Sequence, residues 1–386
     1  MTDHAQWPLA GVRVIEVASF IAGPSAGLAL RQLGADVIRV DPVGGAPDID
    51  RWPLAESGRS LYWAGLNRGK QSVVLDLGSD TGRATLQDLV TAPGPGNGIL
   101  VTNLSGKRWL SDELLRAARP DLIHVQVLGT PDGEPAVDYT VNAAVGLPYA
   151  TGPADGELPV NNTLPAWDLI CGQQAAVAVL AALHRRQTTG EGTHATVALA
   201  DVAASTLTTL GMLPEAALTG VSRPAYGNAI YGSFGFDPAT SDGARVMVVA
   251  LTPRQWSSLL EVTDTTRVVA AVAAELDADF SREGDRWTHR DVLAALIRPW
   301  FATRSLAEVS AALTGTHVLW APYRHLAEVA EELTGTTNNP VVASRDDPGL
   351  GEILATTGAI RFAGAVADRP APAPVLGEHT DAVLGS

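Results

Sequence analysis

Basic charge is scarce: 27 lysines and arginines stand against 42 acidic residues, a formal net charge of -15, and the lysines are Lys70 and Lys107 alone. No basic run is longer than Arg185-Arg186. A nucleic-acid binder needs a basic stripe to neutralise phosphates, so neither nucleic acid nor an anionic membrane is expected as the main partner. A pocket of amides and a few arginines can still hold an anionic ligand. Cysteine is nearly absent. Cys171 by itself makes neither an intrachain disulfide nor a thiolate metal cluster, and its apolar neighbours predict buried packing. The eight histidines are scattered without HExxH, so no metal site is expected. GxSxG is missing, and with it the α/β-hydrolase nucleophile. The start, MTDHAQWPLAGVRV, lacks a basic region followed by an apolar one, and Pro, Gly or charge interrupts every apolar stretch before about 18 residues. Neither a secretory signal nor a transmembrane helix is expected, which leaves a cytoplasmic enzyme.

What is present is ample apolar material, 46% of 386 residues, and at roughly 150 residues per domain this length predicts two domains. VRVIEV (12–17) reads as a strand, SAGLALRQLG as a helix after Ala22-Gly23-Pro24, and Asp36 to Val40 as a second strand, an α/β unit without GxGxxG, so a nicotinamide enzyme is only weakly supported. Strand-like runs at 71–77, 98–102 and 121–128 alternate with helical segments and predict about five strands of a doubly wound sheet. Residues 129–165 read as loop, and a buried helix ending near Gly190 follows. Residues 1–210 are therefore expected to begin a large doubly wound α/β domain, 211–335 to form a smaller α+β domain, and 336–386 to return to the large one.

Asp168 stands between the polar loop and this helix, where free amides and the positive helix end favour an ionised carboxylate. It reads as a nucleophile or base, or more simply as an N-cap. Asp138 and Tyr139 lie in the preceding loop. Their sequence distance gives no geometric warrant for a carboxylate pair with Asp168, and structural anchoring is the plainer reading. His124, flanked by Ile123 and Val125, reads as a satisfied core or edge histidine. Gly227, Gly232 and Gly235, interleaved with Tyr226, Tyr231 and Phe234, read either as a mobile cover over a site or as a connection between domains. Trp52 and Trp63 sit in a polar neighbourhood suited to a ligand channel.

LAGVRVIEVASFIAGPSAGLALRQLGADVIRVDPVGG (9–45), NRGKQSVVLDL (67–77), ILVTN (99–103), the Asp168 helix through LAALHRRQTTGEGTHATVAL, and APVLGEHTDAVL near the end resemble the family III CoA-transferases, a group that includes alpha-methylacyl-CoA racemases and carnitine-CoA transferases. The resemblance implies a Rossmann-like domain built from both chain ends, a smaller middle domain, and two ring-shaped subunits interlocked as a homodimer. It implies Asp168 as the nucleophile, coenzyme A as part of the acyl-CoA substrate and no prosthetic group. Coenzyme A contacts are implied at Ile21, Leu75, Asn103, Leu104 and Arg108, with Trp52, Tyr62, Asp138, Tyr139 and Gly232 supporting the substrate or its loops. Pro42 and Val43 occupy a region where some relatives carry an arginine near the phosphates, and Lys107 or Arg108 are the substitutes at hand.

Racemase members use a His-Asp pair in the loop before the motif aspartate, and the matching place is Val137-Asp138. Valine exchanges no proton, so two-base racemisation is poorly equipped. A narrower resemblance, in DPVGGAPDIDRWPL, SLYWAGLNRGK, VDYTVNAAVGLPYATGP, RPAYGNAIYGSFG and VLWAPYR, is to the group of this family that moves CoA between C1 and C4 of 2-methylfumaryl-CoA (mesaconyl-CoA). Intermolecular CoA transfer between carboxylic acids, alpha-methylacyl-CoA racemisation and noncatalytic acyl-CoA binding are the alternatives.

Overall fold

The computed structural model describes residues 7–154, 156–335, 339–363 and 370–385. The first six residues of the start read above for a signal lie outside this set. Strands β1 (Arg13–Val17), β2 (Asp36–Pro42), β3 (Gln71–Leu75), β4 (Ile99–Thr102), β5 (Ile123–Leu128) and β6 (Thr193–Ala198) form one sheet in the order β3-β2-β1-β4-β5-β6, and every pairing is parallel. A parallel sheet covered on both faces needs strands apolar on both sides, which is why Val14 to Val17 and all of β4 are buried. Strand order reverses between β1 and β4. The crevice beyond their carboxyl ends is where such a sheet presents a site.

Helices α1 (Ala22–Gln32), α2 (Leu61–Asn67), α3 (Asp80–Thr91), α4 (Asp112–Ala118), α5 (Asp138–Ala144), α6 (Ala166–Thr189) and α7 (Leu199–Thr209) connect or flank these strands. Serine side chains cap α2, α3 and α4 at Ser60, Ser79 and Ser111. Pro24 lies inside the first turn of α1 rather than before the helix, a place where a missing N–H costs nothing. Helix α5 occupies part of the expected loop, and its seven residues are too few to show a helical period.

Gly172 does not interrupt α6, which runs for 24 residues to Gly190 in the left-handed conformation. By length and composition alone α6 passes for a membrane span, so the reading that every apolar stretch is broken within about 18 residues does not hold for it. Its packing is that of a core helix: Cys171, Ala175 and Val179 are fully buried, and α1 and β5 lie against it. A Cβ at Gly172 would meet Ser25 Oγ at 1.9 Å and the Ala22 carbonyl at 2.7 Å, so the glycine permits the approach of α1.

The chain divides into two compact units: residues up to 146, 162–219 and from 330 onward form one, and 147–161 with 220–329 form the other. In the first unit β3 is a sheet edge, and the C-terminal segment satisfies it. The Ser72 carbonyl accepts from His379 N at 2.9 Å, and Val74 N donates to Thr380 Oγ1 at 3.0 Å. In the second unit β7 (Phe234–Phe236), β8 (Val246–Ala250) and β9 (Leu319–Pro322) form an antiparallel sheet over a core that includes Phe234, Val248, Trp256, Leu259 and Phe301.

Candidate active site

Beyond the ends of β1, β4 and β5 lies a cleft of about 400 Å³, lined among others by Ser19, Phe20, Ile21, Asn103, Val137 and Asp168. The turn after β1 is tightly held. Asn103 Oδ1 accepts from Ser19 N at 3.2 Å, and its Nδ2 donates to the Ser19 carbonyl at 3.0 Å. Phe20 takes φ of +67°, uncommon for a bulky residue, and its N–H donates to Asp48 Oδ2 at 2.9 Å. Asp48 is held in turn by Arg39 at 3.0 Å, within a fully buried cluster in which Arg39 also binds Asp41 and Lys70 binds Glu16 at 2.8 Å. Burial pushes the Lys70 amine down to about 8, while Glu16 holds it up. Lys70 is thus committed to this cluster.

Asp168 occupies the third position of α6, and the N-cap is Pro165, which has no capping side chain. The N-cap reading of Asp168 is therefore corrected. The carboxylate serving this helix start is Asp138, whose Oδ2 accepts from Trp167 N at 2.7 Å and Asp168 N at 3.0 Å. Trp167 Nε1 donates to Asn142 Oδ1 at 3.1 Å, which ties α5 to α6 a second time. The fold thus brings together two carboxylates that stand 30 positions apart, a closeness that sequence distance did not warrant, and Asp138 anchors as the plainer reading held.

This arrangement reverses the expected electrostatics of Asp168. Its side chain makes no hydrogen bond among the described residues, and its carboxyl is half-buried. Burial first, then the charge of Asp138, push it up to about 7 against the pull of Arg51. Asp138 itself is buried, which raises it although the two amides lower it, and its Oδ1 has no hydrogen-bond partner among the described residues. The helix-start amides are spent: Ala166 N donates to the Leu164 carbonyl at 2.8 Å and Leu169 N to that of Pro165 at 3.2 Å. They are consequently closed to an oxyanion.

Tyr62 reaches this neighbourhood from α2, with its hydroxyl buried and unpartnered among the described residues, and Arg51 lies over its ring at 5.2 Å and over the Phe20 ring at 5.7 Å. Burial pushes the phenol up to about 12, so it remains a donor. Sequence spacing gives Arg51 no special place, because the turn that brings it to Phe20 depends on Asp48 and the β1 turn being neighbours. Trp52 is 79% exposed, and Tyr139 is exposed on α5. Ile21 and Asn103 share the cleft with Asp168. Leu104 and Arg108 line another, of about 330 Å³, with Lys107, His124 and His194. Leu75 is buried in the sheet core, and Gly232, at φ of +76°, belongs to the second unit.

His124 is buried but not satisfied, contrary to expectation. Its ring stacks on His194 at 4.8 Å, Asp112 Oδ1 lies 3.4 Å from its Nδ1, and neither nitrogen makes a hydrogen bond among the described residues. Burial pushes it down to about 4, which keeps it neutral. Cys171 is buried, and its thiol is pushed up to about 12, which removes it as a nucleophile.

A half-buried carboxylate without hydrogen bonds, at the wall of a cleft, is equipped to attack an activated carbonyl. The comparisons agree with an acyl-transfer site. The family model described as CoA-transferase family III matches residues 9–380. The 2-methylfumaryl-CoA isomerase of Chloroflexus aurantiacus is 44% identical over 378 residues, covering 97% of this chain and 92% of the relative. The succinyl-CoA:mesaconate CoA-transferase of Haloarcula hispanica is 27% identical, with 97% and 94% covered. Among solved structures, a CAIB/BAIF family protein from Brucella suis superposes with a TM-score of 0.77 at 25% identity over 98% of this chain and 99% of that one. With its α/β fold and a match running almost from end to end, this chain is an enzyme belonging to CoA-transferase family III.

Proposed function

We propose that the protein isomerises 2-methylfumaryl-CoA by moving CoA from the C1 to the C4 carboxyl group, with Asp168 as the nucleophile. The observation that carries this reading is the unbonded Asp168 carboxylate in the cleft beyond β1 and β4; the 44% identical isomerase supplies the substrate class. An Asp168 oxygen attacks the C1 thioester carbonyl, the C–S bond breaks, and a mixed anhydride and CoA thiolate form. The thiolate attacks the aspartyl carbonyl, giving an enzyme thioester and free 2-methylfumarate. After the acid turns round, its C4 carboxylate attacks the enzyme thioester and expels CoA thiolate. Thiolate attack at the C4 acyl carbon then forms the new thioester and frees Asp168. The trans double bond keeps the two carboxyl groups apart, which rules out a cyclic anhydride.

Asp138 positions this nucleophile through the two amides and keeps its carboxyl near neutrality. With the amides of α6 occupied, those of Ile21 and Ala22 at the start of α1 remain as donors along the cleft to a developing oxyanion. Coenzyme A enters as part of the substrate, with Asn103, Leu104 and Arg108 as its contacts and Leu75 a more remote one. The family resemblance supports a cytoplasmic, interlocked homodimer, and the larger unit being assembled from three chain segments fits a chain that leaves it and returns. Hydroxylamine added during turnover with mesaconyl-C1-CoA, followed by peptide mass spectrometry, tests the nucleophile: a hydroxamate at Asp168 supports it, and labelling elsewhere with Asp168 unmodified contradicts it.

A further inference from the structure

A dicarboxylic acyl group brings a carboxylate towards Asp168, where buried Asp138 already adds a second negative charge, so a cation is needed there. Most nearby basic groups are committed: Arg39 to Asp41 and Asp48, Lys70 to Glu16. Arg51 differs. Its guanidinium makes no ion pair or hydrogen bond among the described residues, and it rests on the faces of Phe20 and Tyr62. Stacking in this way leaves the edge N–H groups of a guanidinium free for a planar anion.

Its backbone is fixed on both sides. Arg51 N donates to the Asp48 carbonyl at 3.2 Å, and the Arg51 carbonyl accepts from Ser60 Oγ, the residue that caps the helix carrying Tyr62. Asp48 therefore holds both the Phe20 turn and the Arg51 backbone. The Tyr62 hydroxyl, on the ring that the guanidinium covers, is buried without a partner among the described residues. A cation with free donors and an unused hydroxyl together match the oxygens of a carboxylate.

Resting on the isomerase reading, we infer that Arg51 and the Tyr62 hydroxyl form the subsite for whichever substrate carboxylate is not joined to CoA or Asp168. In the first half of the reaction this is the C4 carboxylate and in the second the C1 carboxylate. One subsite serves both because turning the acid round exchanges the two ends. Arg51 also counters the charge of Asp138 on Asp168, which keeps part of the nucleophile ionised.

The test compares mesaconyl-C1-CoA with tiglyl-CoA, which has a methyl group in place of the C4 carboxylate. Initial rates of Asp168 labelling by hydroxylamine are measured for both in the unmodified protein, Arg51→Gln, Arg51→Lys and Tyr62→Phe. In Arg51→Gln the mesaconyl-to-tiglyl rate ratio is expected to fall about 100-fold, and in Tyr62→Phe about 10-fold, as charge-assisted and neutral hydrogen bonds are lost. Arg51→Lys, which keeps the charge without the fork, is expected to fall in between. An unchanged ratio in Arg51→Gln, with both rates reduced alike or neither reduced, overturns the inference. If the unmodified protein does not isomerise mesaconyl-C1-CoA but the ratio still falls, the subsite stands and the isomerase reading fails. If it isomerises and the ratio holds, only the subsite fails.

Discussion

Asp138 Oδ2 lies 3.0 Å from the main-chain nitrogen of Asp168, so the carboxylate that neutralises the start of α6 is a neighbour's and not that of Asp168. Helix-start amides usually stabilise a carboxylate nearby. Here Asp138 uses them, and its negative charge then opposes ionisation of Asp168. The result is a carboxyl poised to gain or lose its proton near neutral pH.

Activity should therefore depend on pH through Asp168. Only the carboxylate attacks, so kcat/KM will fall as pH drops through about 7. Asp138→Asn removes the like charge and should move this limb to lower pH, while losing less activity than any substitution of Asp168. A limb that stays in place in Asp138→Asn, in pH-rate profiles of both proteins, would separate the two carboxyls electrostatically.

Asp168→Asn is expected to abolish turnover and to stabilise the fold at high pH. The folded carboxyl is raised from 3.8 to about 7, so it favours the folded state most at low pH, and this benefit is lost as pH rises through about 7. The amide has no charge to bury. Thermal melting should show the variant above the unmodified protein by about 2 °C or more at pH 8, and little different at pH 4.

Much of this frame was legible in the sequence, because β1, β2 and the helix between them follow apolar periodicity and Asp168 stands at a polar-to-apolar junction. The Asp138 contact was not legible. A carboxylate 30 positions upstream has no periodic relation to a helix start, and only the placement of α5 against α6 creates it. Arg51 was hidden in a stretch of aromatic and polar residues for the same reason. The helix through Gly172 was legible, but the reason for a glycine there was not, because a sequence does not display the partner helix for which the missing side chain makes room.

Gly172→Ala should destabilise the fold by about 1 to 3 kcal/mol, since its methyl group would fall on Ser25 and the Ala22 carbonyl. Chemical denaturation measures this. A stability equal to that of the unmodified protein would show that α1 and α6 separate without cost.

Val137, 56% exposed at the start of α5, lines the cleft at the place where racemases of the family carry histidine. It relays no proton. In D₂O the protein is expected to leave (2R)- and (2S)-methylacyl-CoA without deuterium at C2, as read by mass spectrometry. Rapid uptake with inversion would place racemisation ahead of acyl transfer.

The central claim is intramolecular transfer, and it is tested most directly by incubating mesaconyl-C1-CoA with the purified protein, adding no carboxylic acid, and separating the C1 and C4 isomers by chromatography. Conversion to mesaconyl-C4-CoA is expected at a rate indifferent to added acids. Conversion that begins only when a free carboxylic acid is supplied in stoichiometric amount would contradict it.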